Sequence, residues 1–592
     1  LESINFEKTK SELNAKVASL PSLIVEMLDR RRSRIRLRFQ IYGLLFLFIS
    51  ANANAQQLTG LVDMHAHPMA HLAYAGKFLH GAPDLGCLLP TDAECQSLVT
   101  ATSMEHALGH CNATHGGYNH FTNPCGDIIR KNLIGTLEAN NHAVSVHGKE
   151  IGGANTDFAH WPSCRDISHQ AMWIDWIQRA HNNGLNVMVA LAVNSETVAA
   201  SMAGPGDLPT DDKASADLQI AEIKKMAARH SDWMEVAFTS ADLRRIVLAG
   251  KLALVLGIEI DNLGNFNKPL QSSYPPIEAQ VAKEINRLFD SGVRYVFPIH
   301  VIDNPFGGTA ASVDFFNISN FRESGKCWQL EAAQPSDSID YQFHPALSQF
   351  MLDVLKLKVG KNLSLCPESE ASTPTPQVNA RGLTPLGEFA IKEMMRIGML
   401  IDVDHMSQKA VHQTLDLAES IPGGYPLNSG HNGLRTMNSP STRNENGRTY
   451  AQIRRILALQ GMIGLGWGPD AVAFLRNLKA MMPLTGRQSC AIGTDVNGMM
   501  MLPFPRVDSV NGKAVPASNV VYGFDFDRCC TGNRCWDYNS EGVAHYGLMP
   551  DYLRDVANLG GKQEVAALHR SAEGFAVMWE RCERVAKAVE QD

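Results

Sequence analysis

Six residues, scattered from near one end of the chain almost to the other, close apolar runs with side chains suited to holding metal ions: His65, His67, Glu259, His405, His431 and Asp495. Strand alternation puts His65 and His67 on one side of the first run, both offering imidazole nitrogen. Glu259 follows Val255, Leu256, Gly257 and Ile258, and a carboxylate at the end of so apolar a stretch is costly unless positive charge or metal meets it. Asp402, Asp404 and His405 end another run, Asn428 to His431 the next, and Gly493, Thr494 and Asp495 the last. Four imidazoles and two carboxylates suit two divalent ions of zinc type, with nitrogen on each ion, a glutamate able to bridge and an open position for a shared water. A single histidine at a strand end is more often a hydrogen-bonded structural residue. Six such residues at the same end of their strands form the pattern of a site.

The elements that must position them are short apolar runs alternating with helical-period segments, the signature of repeated βα units around a parallel sheet. Eight strands are expected: 58–64, 185–193, 252–258, 293–299, 399–404, 426–429, 462–466 and 490–494. Helices are expected over 170–181, 239–249, 276–290, 385–397, 407–420, 450–460 and 470–482. Thr239 and Ser407 offer oxygen caps, while Gly250, Gly292, Gly398 and Gly461 end helices where a left-handed residue is wanted. The expected fold is α/β, a (β/α)8 TIM-type barrel over 56–560 with long inserted loops on the catalytic face, at about 68–169, 301–384 and 499–550. All three insertions follow strand C-terminal ends, so they are expected to form a lid over the substrate. A C-terminal helical segment, 561–592, is expected to pack on the outside of the barrel.

Composition narrows the function classes. With 592 residues, 45% apolar content and a net charge of −8, the chain can bury a large core and has no general attraction for nucleic acid or anionic lipid. The one basic run, Arg30 to Arg38, precedes the apolar stretch Ile41 to Ile49 and a small-residue segment ending near Ala55. That order is a signal peptide's, and its apolar part is about half the roughly 20 residues of a spanning helix. Residues 1–55 are therefore read as upstream residues plus signal, leaving a secreted or periplasmic protein with no stable membrane span once it is removed. Twelve cysteines, five of them between Cys87 and Cys164 and three at Cys529, Cys530 and Cys535, then read as disulfide staples of undetermined connectivity.

Together these residues carry a resemblance. The segment Gly292 to His300, the pair formed by Leu400 to Ser407 and Ser429 to His431, the stretch Ala491 to Gly498, and Leu256 to Glu259 are similar to motifs of the membrane (renal) dipeptidase family of the amidohydrolase superfamily, as is Ser441 to Asn444. The resemblance implies a metal-dependent hydrolase with two divalent metal ions, zinc by expectation. It gives His300 the role of stabilising the oxyanion, Asp495 that of moving the proton as well as ligating metal, and Arg443 that of gripping a substrate carboxylate. Dipeptides or N-acyl amino acids are then the substrates, cleaved at the amide by water held between the metals. The chain departs from the family where His65 and His67 replace a His-x-Asp pair and where Ile260, Asp261, Asn262 and Leu263 replace a glycine-rich continuation. Substrate choice stays open on that account. A metal-dependent esterase, lactonase or phosphotriesterase is the rival enzyme, and a non-catalytic metal-binding barrel protein is the rival of another class. The partner is a small molecule or short peptide; homodimerisation is left open. Asp63 is read either as orienting a metal histidine or as closing its strand, and Trp173 and Trp176 as packing residues rather than site residues.

Overall fold

The chain divides into two units, Leu1–Gln57 and Leu58–Asp592, and the fold below is that of the second. The computed structural model describes residues 56–76, 78–79, 81–84, 162–164, 167, 169–202, 208–267, 276–342, 375–438, 443–486, 489–506, 508–510, 513–515, 526–531 and 534–589. The expected signal, the cysteines from Cys87 to Cys125 and most of the expected lid lie outside these residues. No described helix is long and apolar enough to cross a membrane.

Eight strands form the barrel: β1 (Leu61–Ala66), β2 (Leu185–Asn194), β3 (Leu252–Ile260), β4 (Tyr295–Val296), β5 (Leu400–Ile401), β6 (Asn428–Ser429), β7 (Met462–Leu465) and β8 (Cys490–Ile492). They pair in parallel in the order β5-β4-β3-β2-β1-β8-β7-β6. A bridge between Asp402 and Asn428, with the Val403 N–H donating to the Asn428 carbonyl at 2.8 Å, joins the two ends of that order. The protein is thus an α/β barrel of the TIM type, and each expected strand lies within or across its observed counterpart. Every residue of β1 and β3 is buried, as it must be in strands covered on both faces, and this is why they read as unbroken apolar runs.

The expected helices form, with ends shifted by a few residues. Thr239 and Ser407 cap as expected, accepting from the Asp242 and Ala410 N–H groups. Gly250, Gly292 and Gly398 take positive φ, but Gly461 does not: the left-handed residue there is Gln460, at φ +63°. Gly461 is required for a different reason, since a Cβ on it would lie 1.8 Å from the Leu427 carbonyl. The C-terminal segment is two helices, Lys562–Leu568 and Ser571–Val589. They are tied to the start of β1, where Ser571 Oγ accepts from the Val62 N–H, and to helix Ser240–Leu248, where Arg244 pairs with Glu573.

Three elements between β2 and β3 were not expected, the short helix Glu196–Met202, a longer helix and a short strand. Helix Asp212–Arg229 starts on an Asp211 cap, and strand Met234–Val236 lies beside the start of β3. The inner face of that helix carries Ser215, Gln219 and Glu222 among its buried residues, which blurs the apolar stripe. Gln219 faces inward because its amide bonds both the N–H and the carbonyl of Val193. Among the cysteines, Cys530 and Cys535 are joined within the strand pair Cys529–Thr531 and Arg534–Trp536, and Cys327 is also disulfide-bonded. Trp173 and Trp176 are buried, and the Trp176 ring stacks on His545.

Candidate metal centre

Glu259 is the last but one residue of β3 and lies opposite Val193 in the ladder with β2. Its two oxygens face two different sets of nitrogens. Oε2 lies 3.1 Å from His65 Nε2 and 3.4 Å from His67 Nε2, both from β1 and its continuation. Oε1 lies 2.9 Å from His405 Nε2 and 3.7 Å from His300 Nε2, which follow β5 and β4. Asp495, just past β8, adds Oδ1 at 3.1 Å from His67 Nε2 and 3.5 Å from His65 Nε2. Among the described residues, two groups of ligand type thus lie within 4.8 Å: His65, His67 and Glu259; and Glu259, His300 and His405. His431 stands beside both, its ring 3.9 Å from that of His65 and 4.9 Å from that of His405, with its Nδ1 3.2 Å from Asp404. The structure therefore brings His300 into the second tight group and sets His431 at its edge.

The outer layer decides which nitrogen each imidazole presents. His67 Nδ1 bonds the Leu191 carbonyl at 3.3 Å, His300 Nδ1 bonds Asp261 at 2.8 Å, His405 Nδ1 lies 3.3 Å from Asn446 Nδ2, and His431 Nδ1 faces Asp404. Anchoring one ring nitrogen fixes the ring's orientation and leaves the other for the centre. Asn446 also accepts from the His405 backbone N–H. Asp63 anchors no ring: it accepts from the backbone N–H groups of His65 and Thr494 and from the Thr494 and Tyr546 hydroxyls, so it clamps β1 to β8. Its carboxyl is pushed up to about 6 by burial, against those hydrogen bonds. Asp261 and Asn446 carry no apolar-run signal, and sequence reasoning gave neither of them a role.

Two site residues sit in strained backbone. His405 has φ +65° and Asp495 φ +53°, a region that disfavours side chains and is tolerated where surrounding structure imposes it. For His405 the constraint is visible: its carbonyl accepts from the Ala310 N–H at 2.7 Å and the Thr309 hydroxyl at 3.0 Å, while Asn446 holds its N–H. For Asp495, the N–H donates to the His65 carbonyl at 2.8 Å. Gly498 must be glycine, because a Cβ there would lie 1.7 Å from Asp495 Oδ1.

The electrostatics favour a cation. Burial would raise the Glu259 carboxyl, but the imidazoles of His65, His300 and His405 beside it hold it well below the usual carboxylate range. Burial pushes His65 down to about 4 in spite of Glu259, so its imidazole is neutral and a competent ligand. Neither ring nitrogen of His65 nor Glu259 Oε1 makes a hydrogen bond, although all three are buried. Buried polar atoms are normally satisfied, so this cluster of donors fits divalent ions with nitrogen and oxygen preference.

Arg443 lies on the loop after β6. Its guanidinium pairs with Asp340 at 3.1 Å and bonds the Asn438 carbonyl, and both charged side chains are partly exposed. Two residues on, Glu445 is fully buried and accepts from the N–H groups of Ala311, Asn379 and Gln408, tying together a loop, a strand end and the start of a helix. Burial pushes its carboxyl up from 4.5 to about 7 against these hydrogen bonds. The folded state then holds this proton more tightly than the unfolded chain does, so stability falls as pH rises from about 4.5 to about 7 and levels off above. Urea midpoints measured at pH 5 and pH 7.5 are expected to show that loss in the wild type, and a smaller one in Glu445→Gln. Equal losses would mean that Glu445 is ionised throughout.

Comparison with known proteins bears on these motifs. Residues 362–440 match the model of the membrane dipeptidase family, peptidase family M19. No curated protein matches. Among solved structures, the chain is similar to an amidohydrolase from Pseudomonas aeruginosa, at 13% identity over 69% of this chain and 93% of that one, with a TM-score of 0.39. It is similar to a metallo peptidase from Rhodobacter sphaeroides liganded with a phosphinate mimic of the dipeptide L-Ala-D-Ala, at 14% identity over 68% and 89%, TM-score 0.39. It is also similar to the probable dipeptidase PvdM from Pseudomonas aeruginosa, at 12% identity over 70% and 89%, TM-score 0.40. The segment matched by the family model carries Asp402, Asp404, His405, Ser429 and His431, so the likeness to the membrane dipeptidase family falls on the part of the chain that supplies two of the site's histidines.

Proposed function

We propose that the protein hydrolyses the amide bond of dipeptides or N-acyl amino acids at a two-metal centre. The observation that carries this reading is the division of Glu259, with one oxygen toward His65 and His67 and the other toward His405 and His300. His65, His67, Glu259 and Asp495 would hold one ion, and Glu259, His405 and His431 the other. Two divalent ions of zinc type would there supply Lewis-acid activation of water and of the substrate carbonyl.

The chain's own residues do the rest. Asp495, a carboxylate at the edge of the centre, takes the proton from the attacking water and delivers it to the leaving nitrogen. His300, oriented through Nδ1 by Asp261, presents Nε2 toward the centre, where in its protonated form it stabilises the developing oxyanion. Burial would keep that ring neutral, but Glu259 and Asp261 raise its pKa. Arg443 exchanges its exposed partner Asp340 for the substrate's terminal carboxylate.

Chelation followed by zinc restoration is the direct test, run against dipeptides, N-acyl amino acids, lactones and phosphotriesters. Hydrolysis of the amides that disappears with the metal and returns with it is expected; two bound zinc ions with no amide cleavage would overturn the reading. Arg443→Ala is expected to raise KM for carboxylate-bearing substrates by about 10- to 100-fold, as loss of a charged hydrogen-bonding partner implies, with little change for the corresponding amides. Equal effects on both would remove the assigned role.

A further inference from the structure

His65 differs from the other imidazoles of the centre. His67, His300, His405 and His431 each have Nδ1 facing an anchoring group, whereas His65 Nδ1 is buried without a hydrogen-bond partner. Its Nε2 still lies 3.1 Å from Glu259 Oε2. With no anchor on the ring, the direction of that nitrogen is set by the main chain of His65 and by the rings packed on it, those of His67, Phe297 and His431. The main chain is held on both sides. Its N–H donates to Asp63 Oδ1 at 3.1 Å, and its carbonyl accepts from the Asp495 N–H at 2.8 Å and the Thr494 hydroxyl at 3.2 Å. Thr494 is in turn bonded to both oxygens of Asp63, so Asp63 fixes the backbone of His65 directly and, through Thr494, a second time.

Asp63 is itself held from outside these two strands by Tyr546. The Tyr546 hydroxyl donates to Asp63 Oδ2 at 2.8 Å, across 483 positions of sequence, and the residue is fully buried. The residue before it, His545, lies against two tryptophans, its ring centroid 4.1 Å from that of Trp176 and 4.6 Å from that of Trp536. Trp536 belongs to the strand pair in which Cys530 and Cys535 lie opposite each other and are joined by the disulfide. The other strand of that pair ends at Thr531, whose hydroxyl accepts from Trp176 Nε1 at 2.9 Å. Both strands of the closed hairpin therefore grip the aromatic stack beside Tyr546. Close-packed interiors transmit a displacement rather than absorb it.

We propose that Tyr546 is a positioning residue for the metal centre, aiming His65 through Asp63, and that the Cys530–Cys535 hairpin keeps Tyr546 in place, an inference that rests on the metal-centre reading above. Both cysteines are exposed, the setting in which a bridge is open to reduction. The aim of His65 is thereby linked to a bond that solvent reaches.

Zinc affinity measured by competition with a chromogenic chelator tests the link. Tyr546→Phe is expected to weaken zinc binding about 3- to 10-fold, the worth of one hydrogen bond. Cys530→Ser/Cys535→Ser, which opens the bridge, is expected to weaken it at least about twofold, and the two changes combined no more than Tyr546→Phe alone, because both act through that one bond. Wild-type affinity in either variant, or losses that multiply in the combination, would overturn the proposal. Should the cysteine variant not fold, Thr531→Val removes only the acceptor of Trp176 and is expected to give the same non-additive pattern. In the metal-free protein, amide exchange at His65 and Thr494, both bonded to Asp63, is expected to speed up in Tyr546→Phe, whereas a loss of global stability would spread over the whole barrel. Faster exchange confined to those two amides in a protein that binds no zinc would count against the metal centre and leave the positioning link standing.

Discussion

Replacing Glu259 with glutamine is expected to lower bound metal from two ions to one or none per chain and to reduce kcat/KM by about three orders of magnitude or more, several kcal/mol of transition-state stabilisation. The reason is geometric. Each carboxylate oxygen serves its own group of imidazoles, with His65 and His67 on Oε2 and His405 and His300 on Oε1. A glutamine keeps the shape but offers one oxygen and one NH2, and the amide nitrogen has no lone pair to give a metal. Whichever way it turns, one of the two groups loses its carboxylate. The substitution also leaves a neutral side chain where a fully buried anion had faced four imidazoles, so the remaining ion is held with less charge. Metal content after exhaustive dialysis and steady-state rates with a cleaved substrate decide the matter. Two retained ions with a rate within tenfold of wild type would show that Glu259 bridges nothing.

Much of this architecture was legible because it rests on local pattern. Strands such as β2 and β3 are buried along nearly their whole length, so they read as nearly unbroken apolar runs. The ligand-type residues stood out because they end those runs, where a polar side chain needs a reason. Helix Asp212–Arg229 escaped because polar residues on its inner face serve β2, and strand Met234–Val236 because three residues carry no period. The outer layer of the site was hidden for a different reason. Leu191 acts through its carbonyl, which no sequence displays, and Asp261 and Asn446 matter only because distant loops bring them to His300 and His405. The left-handed backbone at His405 and Asp495 was equally invisible, since neither residue type announces it. His300 and His431 illustrate the limit from the other side. Both were expected at the site and both are there, but which of them stands nearer Glu259 depends on the anchoring partner of each ring.

Asp404→Asn is expected to destabilise the metal-free protein by about 3–5 kcal/mol, the usual result of removing one partner from a buried charged network. Asp404 has no solvent exposure. One oxygen accepts from the Ser429 hydroxyl and lies 3.6 Å from Arg448 Nε; the other lies 3.2 Å from His431 Nδ1 and accepts from the His431 and Asn432 N–H groups at 2.9 and 3.1 Å. Burial would raise this carboxyl, but His431, Arg448 and Ser429 hold it far below the usual range, while burial's lowering of His431 is overcome by Asp404 and the imidazole rises to about 9. An asparagine would leave the fully buried Arg448 without its anion and would turn an NH2 toward groups that are already donors. Loss of the ring's anchor should also weaken metal binding by about 10- to 100-fold, the typical effect of removing an outer-layer partner. The neighbouring Asp402 supplies the control. Burial, with Asp404 beside it, pushes its carboxyl well above the usual range, and it accepts from the Tyr295 hydroxyl. Asp402→Asn should therefore cost no more than about 1.5 kcal/mol, a single hydrogen bond's worth, with metal affinity close to wild type. Denaturant unfolding of the two variants side by side measures the contrast; equal losses would mean that the charge on Asp404 is not what fixes His431.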